Sequence, residues 1–515
     1  MKQLLLSLVF VFSQNILISE SANILGIFNY PSYSHQLVFQ KIVKDLSARG
    51  HSLTILTVNK INENYPNVTE IYMEGSYESN DFNLAESKEK KFSVLRLFSI
   101  FYQSTVKRTF HQLNNPEVKK LIKNADNQKF DLMLVEYVYQ HPLIYFAEIY
   151  DCPVIAVSSM EVTNFIHHIL GNYINFAIHP EHIFEYEHGK LTLPQRFVSV
   201  TVHSFIFLLM VPCVSIGEYI FRWNYFPNVK ASFADIHENR IEFLLQNANP
   251  VLGATRPVTH NTIMLGNLHI EPPKEIQGDL KTFLDSSKNG VIYISFGTNV
   301  NTNYLNERSL SIFVNTFKKL NYNVLWKLDG DHDKILNQSS NIYVSKWYPQ
   351  ADLLAHPNVK LFITHCGLMS LEESIDREVP MLAIPFLFDQ YQNAFKVRSE
   401  EIGVHLEYET LTEEVLYNGI MEATKSKYKE NIKQFKTLMY DVPMQSREKA
   451  VWWIEYALRN KGRNRLKYIG AKIPFYQQYY LDIVLIYVIL ILLIKKVLSF
   501  LKSVCKIKII KSKTQ

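Results

Sequence analysis

Short apolar runs alternate with segments of helical periodicity along much of the chain. The first run, residues 23–30 (NILGIFNY), predicts a buried strand, and residues 36–49 predict a helix that ends at Gly50. Residues 53–58 predict the next strand. The chain therefore begins with a strand–helix–strand unit whose two strands are joined by a parallel crossover.

Further apolar runs of strand length occur at residues 131–135, 153–158, 290–296, 323–328, 360–364 and 380–384. Because helical segments separate these runs, they indicate an α/β fold with parallel sheets. Two clusters of strands flank a long apolar and aromatic stretch at residues 165–226. We therefore predict two Rossmann-like, doubly wound domains, residues 22–270 and 284–460, joined by a linker at residues 271–283. Open parallel sheets bind ligands at the carboxyl ends of their strands, so we expect the site in the cleft between the domains.

The N-terminus has the layout of a secretory signal peptide. Met1 and Lys2 precede an apolar stretch at residues 4–12, and small residues follow before a cleavage point near Ala22. This pattern predicts a signal peptide over residues 1–21 and places the rest of the chain in a lumen or outside the cell. The sequons at Asn67 and Asn337 fit that side of a membrane and are predicted glycosylation sites.

The C-terminus predicts a membrane anchor. Residues 481–501 are nearly all apolar and long enough for one transmembrane helix, and a membrane-proximal segment at residues 461–480 precedes them. The basic tail, residues 502–515, is cytosolic by the positive-inside rule, which gives a single-pass type I orientation. The alternative is a buried C-terminal helix, and the lysine-rich flank argues against it.

Composition excludes several classes of protein. Apolar residues make up 47% of the chain and charged residues 20%, which does not fit a disordered chain, a coiled coil or a polytopic membrane protein. The net charge is +5, but residues 495–515 carry seven lysines and no acid, so the remainder has a net charge of −2. A nucleic-acid binder is therefore not expected. The four cysteines form no CxxC metal pair or disulfide framework.

Two residues at strand ends are candidates for acid–base chemistry. His35 follows the first strand and begins the first helix, where an imidazole can act as a base near neutral pH. Glu136 ends the strand at residues 131–135 and could orient that imidazole from behind, as the acid of a triad does. Taken singly, each residue is more often structural than catalytic.

A block of 44 residues at 347–390 is far more specific, with the sequence WYPQADLLAHPNVKLFITHCGLMSLEESIDREVPMLAIPFLFDQ. It resembles the signature box of the UDP-glycosyltransferases, and nearly the whole chain is similar to the animal, insect-type members of that family. Within the box, Trp347 offers an aromatic face for uracil and Gln350 an amide for its edge. His365 ends a strand, and Gly367 leaves room for backbone near a phosphate.

The resemblance assigns further donor-binding residues. Ser370 and the first amides of the following helix can donate to a diphosphate, and Glu373 matches the carboxylate that binds ribose in this family. Asp389 and Gln390 match the family's contacts to sugar hydroxyls. A small-residue turn outside the box matches the family's diphosphate turn, and its residues are Ser295, Gly297 and Thr298.

Three positions depart from the family pattern. Cys366 stands where animal members commonly have glycine, Met369 where a polar residue is frequent, and Glu136 where aspartate is usual. The acidic run at residues 329–333 suggests a metal loop, but Lys334 and Ser340 occupy the positions of the glycine and glutamate that a calcium loop needs. We expect an acidic solvent turn there, with no metal and no cofactor, and UDP-sugar as a co-substrate.

The resemblance implies a GT-B fold and inverting transfer of a hexosyl group, with glucose favoured and glucuronic acid open. Its partners are a UDP-sugar and a small lipophilic acceptor, as in detoxification or in hormone or pigment conjugation. The expected location is the endoplasmic reticulum membrane, with the catalytic domains luminal and a homo-oligomer possible. Apolar stretches at residues 92–110 and 165–226 are expected to line the acceptor pocket.

Two other functions fit the same pattern. One is a non-catalytic luminal binder of hydrophobic ligands with a degenerate donor site, and the other is a lipid-modifying transferase at the membrane interface. An assay for UDP release with a phenolic acceptor separates the first from an enzyme. Turnover of long-chain acceptors alone would indicate the second.

Overall fold

Two parallel sheets carry the fold in the computed structural model. The structure describes residues 21–78, 84–138, 141–253, 255–330, 340–460 and 465–511. The predicted signal peptide lies outside these residues except for Ser21, and so do the Asn337 sequon and residues 331–333 of the acidic run. Asn67 is described and exposed, so its glycosylation stays a prediction.

The described residues form a seven-stranded and a six-stranded sheet, with strand orders β3-β2-β1-β4-β5-β6-β7 and β10-β9-β8-β11-β12-β13. All neighbouring strands that pair are parallel. The strands of the first sheet are β1 (Asn23–Phe28), β2 (Ser52–Thr57), β3 (Val68–Tyr72), β4 (Leu132–Glu136), β5 (Val154–Ser158), β6 (Ile241–Asn247) and β7 (Thr262–Leu265). Those of the second are β8 (Val291–Ser295), β9 (Asn323–Lys327), β10 (Ile342–Ser345), β11 (Val359–Thr364), β12 (Met381–Ala383) and β13 (Gly403–His405).

Helices connect the strands and cover both faces of the sheets. Those between β1 and the end of β7 are α1 (Tyr33–Ala48), α2 (Leu84–Glu89), α3 (Val94–Leu113), α4 (Pro116–Lys123), α5 (Phe146–Ile149), α6 (Asn164–Ile169), α7 (Leu193–Tyr225) and α8 (Phe233–Asn239). The later ones are α9 (Gly278–Ser286), α10 (Glu307–Lys318), α11 (Gln350–Leu353), α12 (Leu368–Asp376), α13 (Asp389–Ser399), α14 (Glu413–Ala423), α15 (Ser426–Tyr440), α16 (Ser446–Asn460), α17 (Phe475–Gln478) and α18 (Leu481–Lys511).

The predicted fold class is confirmed. Each predicted strand is present, with ends that differ by at most two residues. The pattern missed β3, β6, β7, β10 and β13. Four of these are three to five residues long, and β13 has only three, so too few positions are available for a period of two to show.

Alternation along β1 shows why the first sheet is covered on both faces. Ile24 packs in one core cluster with Val38 and Phe39 of α1, while Leu25 packs in a second cluster on the opposite face. Successive side chains of a strand point to opposite faces, so a strand that is apolar throughout needs helices on both sides. The second sheet has the same arrangement, with its own two core clusters.

The chain crosses between the domains twice. Helix α9 begins inside the predicted linker, and its Leu284 is buried in a core cluster of the second domain. Helix α16 lies within the range predicted for the second domain, yet its Ala450 and Ile454 are buried in the core that contains α1. Residues 446–460 therefore pack on the first domain, a placement that a local pattern cannot reveal.

The C-terminal helix is compatible with a membrane anchor. Within α18, residues Leu481–Ser503 form a candidate span of 23 residues with a mean hydropathy of 2.6, and none of it is buried against the rest of the protein. An exposed helix this apolar is stable in hydrocarbon but not in water. The long apolar stretch at residues 165–226 lies between β5 and β6, and 33 of its residues form helix α7.

Candidate active site

A cavity of about 350 Å³ lies between the two domains, at the carboxyl ends of the strands of both sheets. Residues of α1 form one wall, and Lys327 at the end of β9 together with residues that follow β8, β10, β11 and β12 form the other. The predicted residues that line it are His35, Ser295, Gly297, Thr298, Trp347, Gln350, His365, Gly367, Ser370, Glu373, Asp389 and Gln390. A larger cavity, about 630 Å³, opens elsewhere on the first domain, and none of the predicted site residues lines it.

His35 and Glu136 meet at the centre of the first sheet. Glu136 is the last residue of β4, which pairs with β1, and His35 is in the first turn of the helix that follows β1. His35 Nδ1 lies 3.3 Å from Glu136 Oε1, and the carboxylate is only 2% exposed. The other carboxylate oxygen accepts a hydrogen bond from the Tyr30 backbone N–H at 2.8 Å.

This arrangement selects one tautomer of His35. An ionised carboxylate only accepts hydrogen bonds, so Nδ1 carries the proton and donates it to Glu136. Nε2 is then the ring nitrogen with a lone pair available to the cavity. The Tyr30 ring lies against the imidazole, with centroids 5.1 Å apart, and limits its rotation.

Two glycines enclose the ring of His365. A Cβ atom placed on Gly297 would lie 2.7 Å from the ring, and one on Gly367 would lie 2.6 Å from Nε2. Contacts below 3.0 Å require something to shift, so a side chain at either position would displace the His365 ring. Gly367 is also the N-cap of α12, and Leu368, Met369 and Ser370 of the first turn line the cavity. The unpaired backbone N–H groups of a helix N-terminus are donors for an anion.

Two departures from the family pattern have structural consequences. Cys366 has a φ of 64°, in the left-handed region that favours glycine, so the buried cysteine holds a strained backbone. Met369 lines the cavity and also packs into the core that contains α1. Its apolar side chain thus fills an interface between the two domains.

Lys327 is a site residue that sequence reasoning missed. It ends β9, lines the cavity, and donates from Nζ to the Gly297 carbonyl at 2.8 Å. Burial lowers the pKa of Lys327, and Asp329 partly opposes that change. Burial, reinforced by Lys327, also lowers the pKa of His365 to about 3, so the His365 imidazole is neutral at pH 7. A lysine that ends an apolar strand run was the available signal.

One end of the cavity is lined by Gln350, Ser370 and Glu373, whose side chains are joined by hydrogen bonds. Gln350 Nε2 donates to Glu373 Oε2 at 2.7 Å and to Ser370 Oγ at 3.0 Å. Trp347 is 52% exposed and packs edge-on against Tyr33 of the first domain, with ring centroids 5.2 Å apart. An aromatic face, an amide and a carboxylate are therefore available together at this end.

Asp389 and Gln390 begin α13 and line the cavity. Gln390 Oε1 accepts from the backbone N–H groups of Phe386 at 2.8 Å and Leu387 at 3.2 Å, which fixes the orientation of the amide. Burial raises the pKa of Asp389, and the charges of His182 and His35 oppose that change. Asp389 is thus near enough to His35 to interact with it electrostatically.

Comparisons with known proteins agree with this geometry. The family model described as "UDP-glucoronosyl and UDP-glucosyl transferase" matches residues 27–514. An "Ecdysteroid UDP-glucosyltransferase" from Spodoptera littoralis nuclear polyhedrosis virus is 31% identical over 487 residues, which cover 90% of this chain and 93% of the relative. A UDP-glycosyltransferase from Dactylopius coccus is 28% identical over 483 residues, which cover 92% of this chain and 93% of that one.

A solved structure shows the same fold. The glycotransferase of kitacinnamycin superposes with a TM-score of 0.59 at 16% identity, over 85% of this chain and 100% of its own. The likeness identifies the two-domain arrangement as the GT-B type of glycosyltransferases. The match of the family model, the relatives and this fold together show that the chain belongs to the UDP-glycosyltransferase family and is an enzyme that transfers a glycosyl group from a UDP-sugar.

Proposed function

We propose that the protein transfers glucose from UDP-glucose to a hydroxyl group of a small lipophilic acceptor, with inversion at the anomeric carbon. The observation that carries the proposal is that His35, backed by Glu136, lines the same cavity as the eleven predicted donor-binding residues. The viral relative is named an ecdysteroid UDP-glucosyltransferase, which supports glucose as the sugar and a lipophilic alcohol as the acceptor.

The reaction needs a base on the acceptor side. His35 Nε2 takes the acceptor's hydroxyl proton while the oxygen attacks the anomeric carbon and the bond to the UDP oxygen breaks. Glu136 stabilises the resulting imidazolium through its contact with Nδ1. The products are the glucoside and UDP, and His35 releases the proton to solvent. Attack from the face opposite the leaving group inverts the configuration in one step.

The leaving diphosphate needs positive charge on the donor side. His365 is neutral, so it serves as a hydrogen-bonding group, and the cation beside the turn at Gly297 is the ammonium of Lys327. The N-terminal amides of α12 add the positive end of a helix dipole. Together these groups stabilise the charge that develops on UDP, and the proposed mechanism requires no metal.

An apolar cavity of about 200 Å³ on the first domain supports a lipophilic acceptor. It is lined from both stretches that the sequence marked as apolar, by Phe101, Tyr102 and Val106 of α3 and by Phe165 and Phe221 further along. Thr105 also lines it and accepts a hydrogen bond from Arg108 Nη2 at 3.2 Å. Arg108 lies over the Tyr30 ring, which in turn lies against His35. A chain of contacts therefore joins this cavity to the proposed base.

The proposed location is the membrane of the endoplasmic reticulum, with both domains luminal. The signal-peptide pattern of residues 1–21 and the lysine-rich tail after the candidate span support this orientation. A catalytic domain anchored at a bilayer meets lipophilic acceptors where they concentrate. Conjugation of hormones, pigments or toxins is the corresponding role.

The test uses the full-length protein in microsomes with 4-nitrophenol or an ecdysteroid as acceptor. UDP release is measured with UDP-glucose, UDP-galactose, UDP-N-acetylglucosamine and UDP-glucuronic acid. We expect UDP-glucose to be the best donor, and faster turnover with UDP-glucuronic acid would overturn the assignment of the sugar. Absence of turnover with every pair would favour the non-catalytic binder.

A pair of variants tests the proposed base. His35→Ala should lose transfer by at least about 1,000-fold while UDP still binds, because His35 contributes a proton transfer rather than a nucleotide contact. The matched control is His260→Ala, a change at an exposed histidine outside the cavity. Transfer by His35→Ala within tenfold of the control would contradict the assignment.

A further inference from the structure

A buried histidine two residues before the predicted linker, His269, faces two consecutive carboxylates of α12. His269 Nδ1 lies 3.5 Å from Glu372 Oε2, and its Nε2 lies 3.6 Å from Glu373 Oε1. All three residues are buried, with His269 6% exposed, Glu372 fully buried and Glu373 8% exposed. Only Glu373 reaches the donor cavity, so the other two act behind it.

Two adjacent buried carboxylates repel each other and need a nearby positive charge or a proton to offset their charge. Glu372 accepts from Asn247 Nδ2 at 3.2 Å and from the Asn267 backbone N–H at 2.9 Å, and Glu373 accepts from Gln350. These donors are neutral and leave the repulsion between the two carboxylates in place. A buried charge without an opposite partner is strongly destabilising, and the usual escape is to take up a proton.

Among the described residues, three tyrosines also interact with this pair. Tyr33 and Tyr293 interact with Glu373, and Tyr440 interacts with Glu372. Burial raises the pKa of each of these tyrosines, so all three are neutral at physiological pH. Arg447 on α16 pairs instead with Asp45. The imidazole of His269 is thus the group placed to offset the pair.

Neighbouring charges and burial shift the pKa values of His269 and Glu372. Burial acts to lower the pKa of His269, but contact with Glu373 and the charges of both carboxylates outweigh it, so the pKa is raised. Burial raises the pKa of Glu372, with His269 opposing that change. Without the histidine, the two carboxyl groups would share a proton as a coupled pair.

We propose that protonated His269 is a positioning residue for the donor: it offsets the charge of Glu372 so that Glu373 stays ionised and accepts hydrogen bonds from the ribose hydroxyls. This inference rests on the proposed function, because it requires Glu373 to bind the ribose. It makes the end of the first domain, just before the linker, a support for the nucleotide site, although His269 itself touches no substrate.

The test compares His269→Gln with the double variant His269→Gln/Glu372→Gln in the full-length protein. In His269→Gln a shared proton blocks Glu373, so we expect the donor KM to rise about tenfold or more while kcat changes less than about threefold. Removing the surplus carboxylate leaves Glu373 alone and ionised, so the double variant should recover to within about threefold of wild type. A purely structural role predicts a double variant at least as impaired as the single one.

The pH dependence of the donor KM distinguishes an electrostatic role of His269 from a packing role. In His269→Gln the donor KM should fall as pH rises from 6 to 9, because the two adjacent buried carboxylates then release the proton that they share. The control is His51→Gln, which removes a buried histidine whose Nε2 is also 3.6 Å from a carboxylate, on Glu455 and away from the cavity. We expect no change in donor KM for this control.

Calorimetric binding of UDP alone distinguishes a failure of the proposed function from a failure of the role of His269. If the wild-type protein does not bind UDP, the proposed function fails; if it binds UDP and His269→Gln binds equally well, only the role of His269 fails. Thermal unfolding shows which variants fold. If His269→Gln is unfolded, a folded double variant that binds UDP within threefold of wild type supports the inference, and loss of UDP binding in that variant overturns it.

Discussion

Replacing Glu136 by glutamine is the sharpest perturbation of the proposed catalytic pair. The change keeps the size of the side chain but removes its charge from a site that is 2% exposed. The new amide can also donate to His35 Nδ1, which would move the imidazole proton to Nε2 and leave no lone pair for the acceptor hydroxyl. The variant therefore loses both the counter-charge and the correct tautomer.

The distance sets the expected magnitude. Two unit charges 3.3 Å apart interact by about 5 kcal/mol at an effective dielectric constant of about 20. At about 1.4 kcal/mol for each factor of ten, this corresponds to a fall in kcat of roughly 1,000- to 10,000-fold. The corresponding change in a Ser–His–Asp triad costs about 10,000-fold, which agrees with that range.

The assay measures kcat with saturating UDP-glucose and acceptor, together with the affinity for UDP alone. Glu136 does not line the donor cavity, so UDP binding should stay within about twofold of wild type. The matched control is Glu148→Gln, which removes a partly buried carboxylate that accepts from Arg240 Nε at 2.7 Å outside the cavity. A kcat for Glu136→Gln within tenfold of that control would refute the role of Glu136.

Three further predictions test the donor site, the membrane anchor and the placement of α16. Gly367→Ala should weaken UDP binding about tenfold or more by calorimetry, because the new Cβ would lie 2.6 Å from His365 Nε2; unchanged affinity would show that the ring can move. A chain that ends at Tyr480 should be released from membranes by carbonate extraction, since the candidate span is gone. A chain that ends before Ser446 should instead unfold at a lower temperature, because Ala450 and Ile454 of α16 are buried in the first domain. Equal melting temperatures for the two truncated chains would contradict that placement.

Local sequence patterns predicted most of the fold and most of the candidate site. An apolar run that alternates with helical periodicity reflects burial, which acts on each element wherever it lies in the fold. The block at residues 347–390 could be identified as a donor-binding motif because its functional residues lie close together in the chain and keep a fixed spacing. The structure brings all of its predicted contact residues to one cavity.

What the sequence by itself determined is therefore the alternation of strands and helices, the family, and a set of donor-binding candidates. Only the tertiary structure decided that His35 lies 3.3 Å from Glu136, 101 residues away. It also brought Lys327 to the turn at Gly297 and His269 to the carboxylates of α12. Such contacts depend on strand order and on the way the chain crosses between domains, and these follow from the packing of the whole molecule, so no local pattern records them.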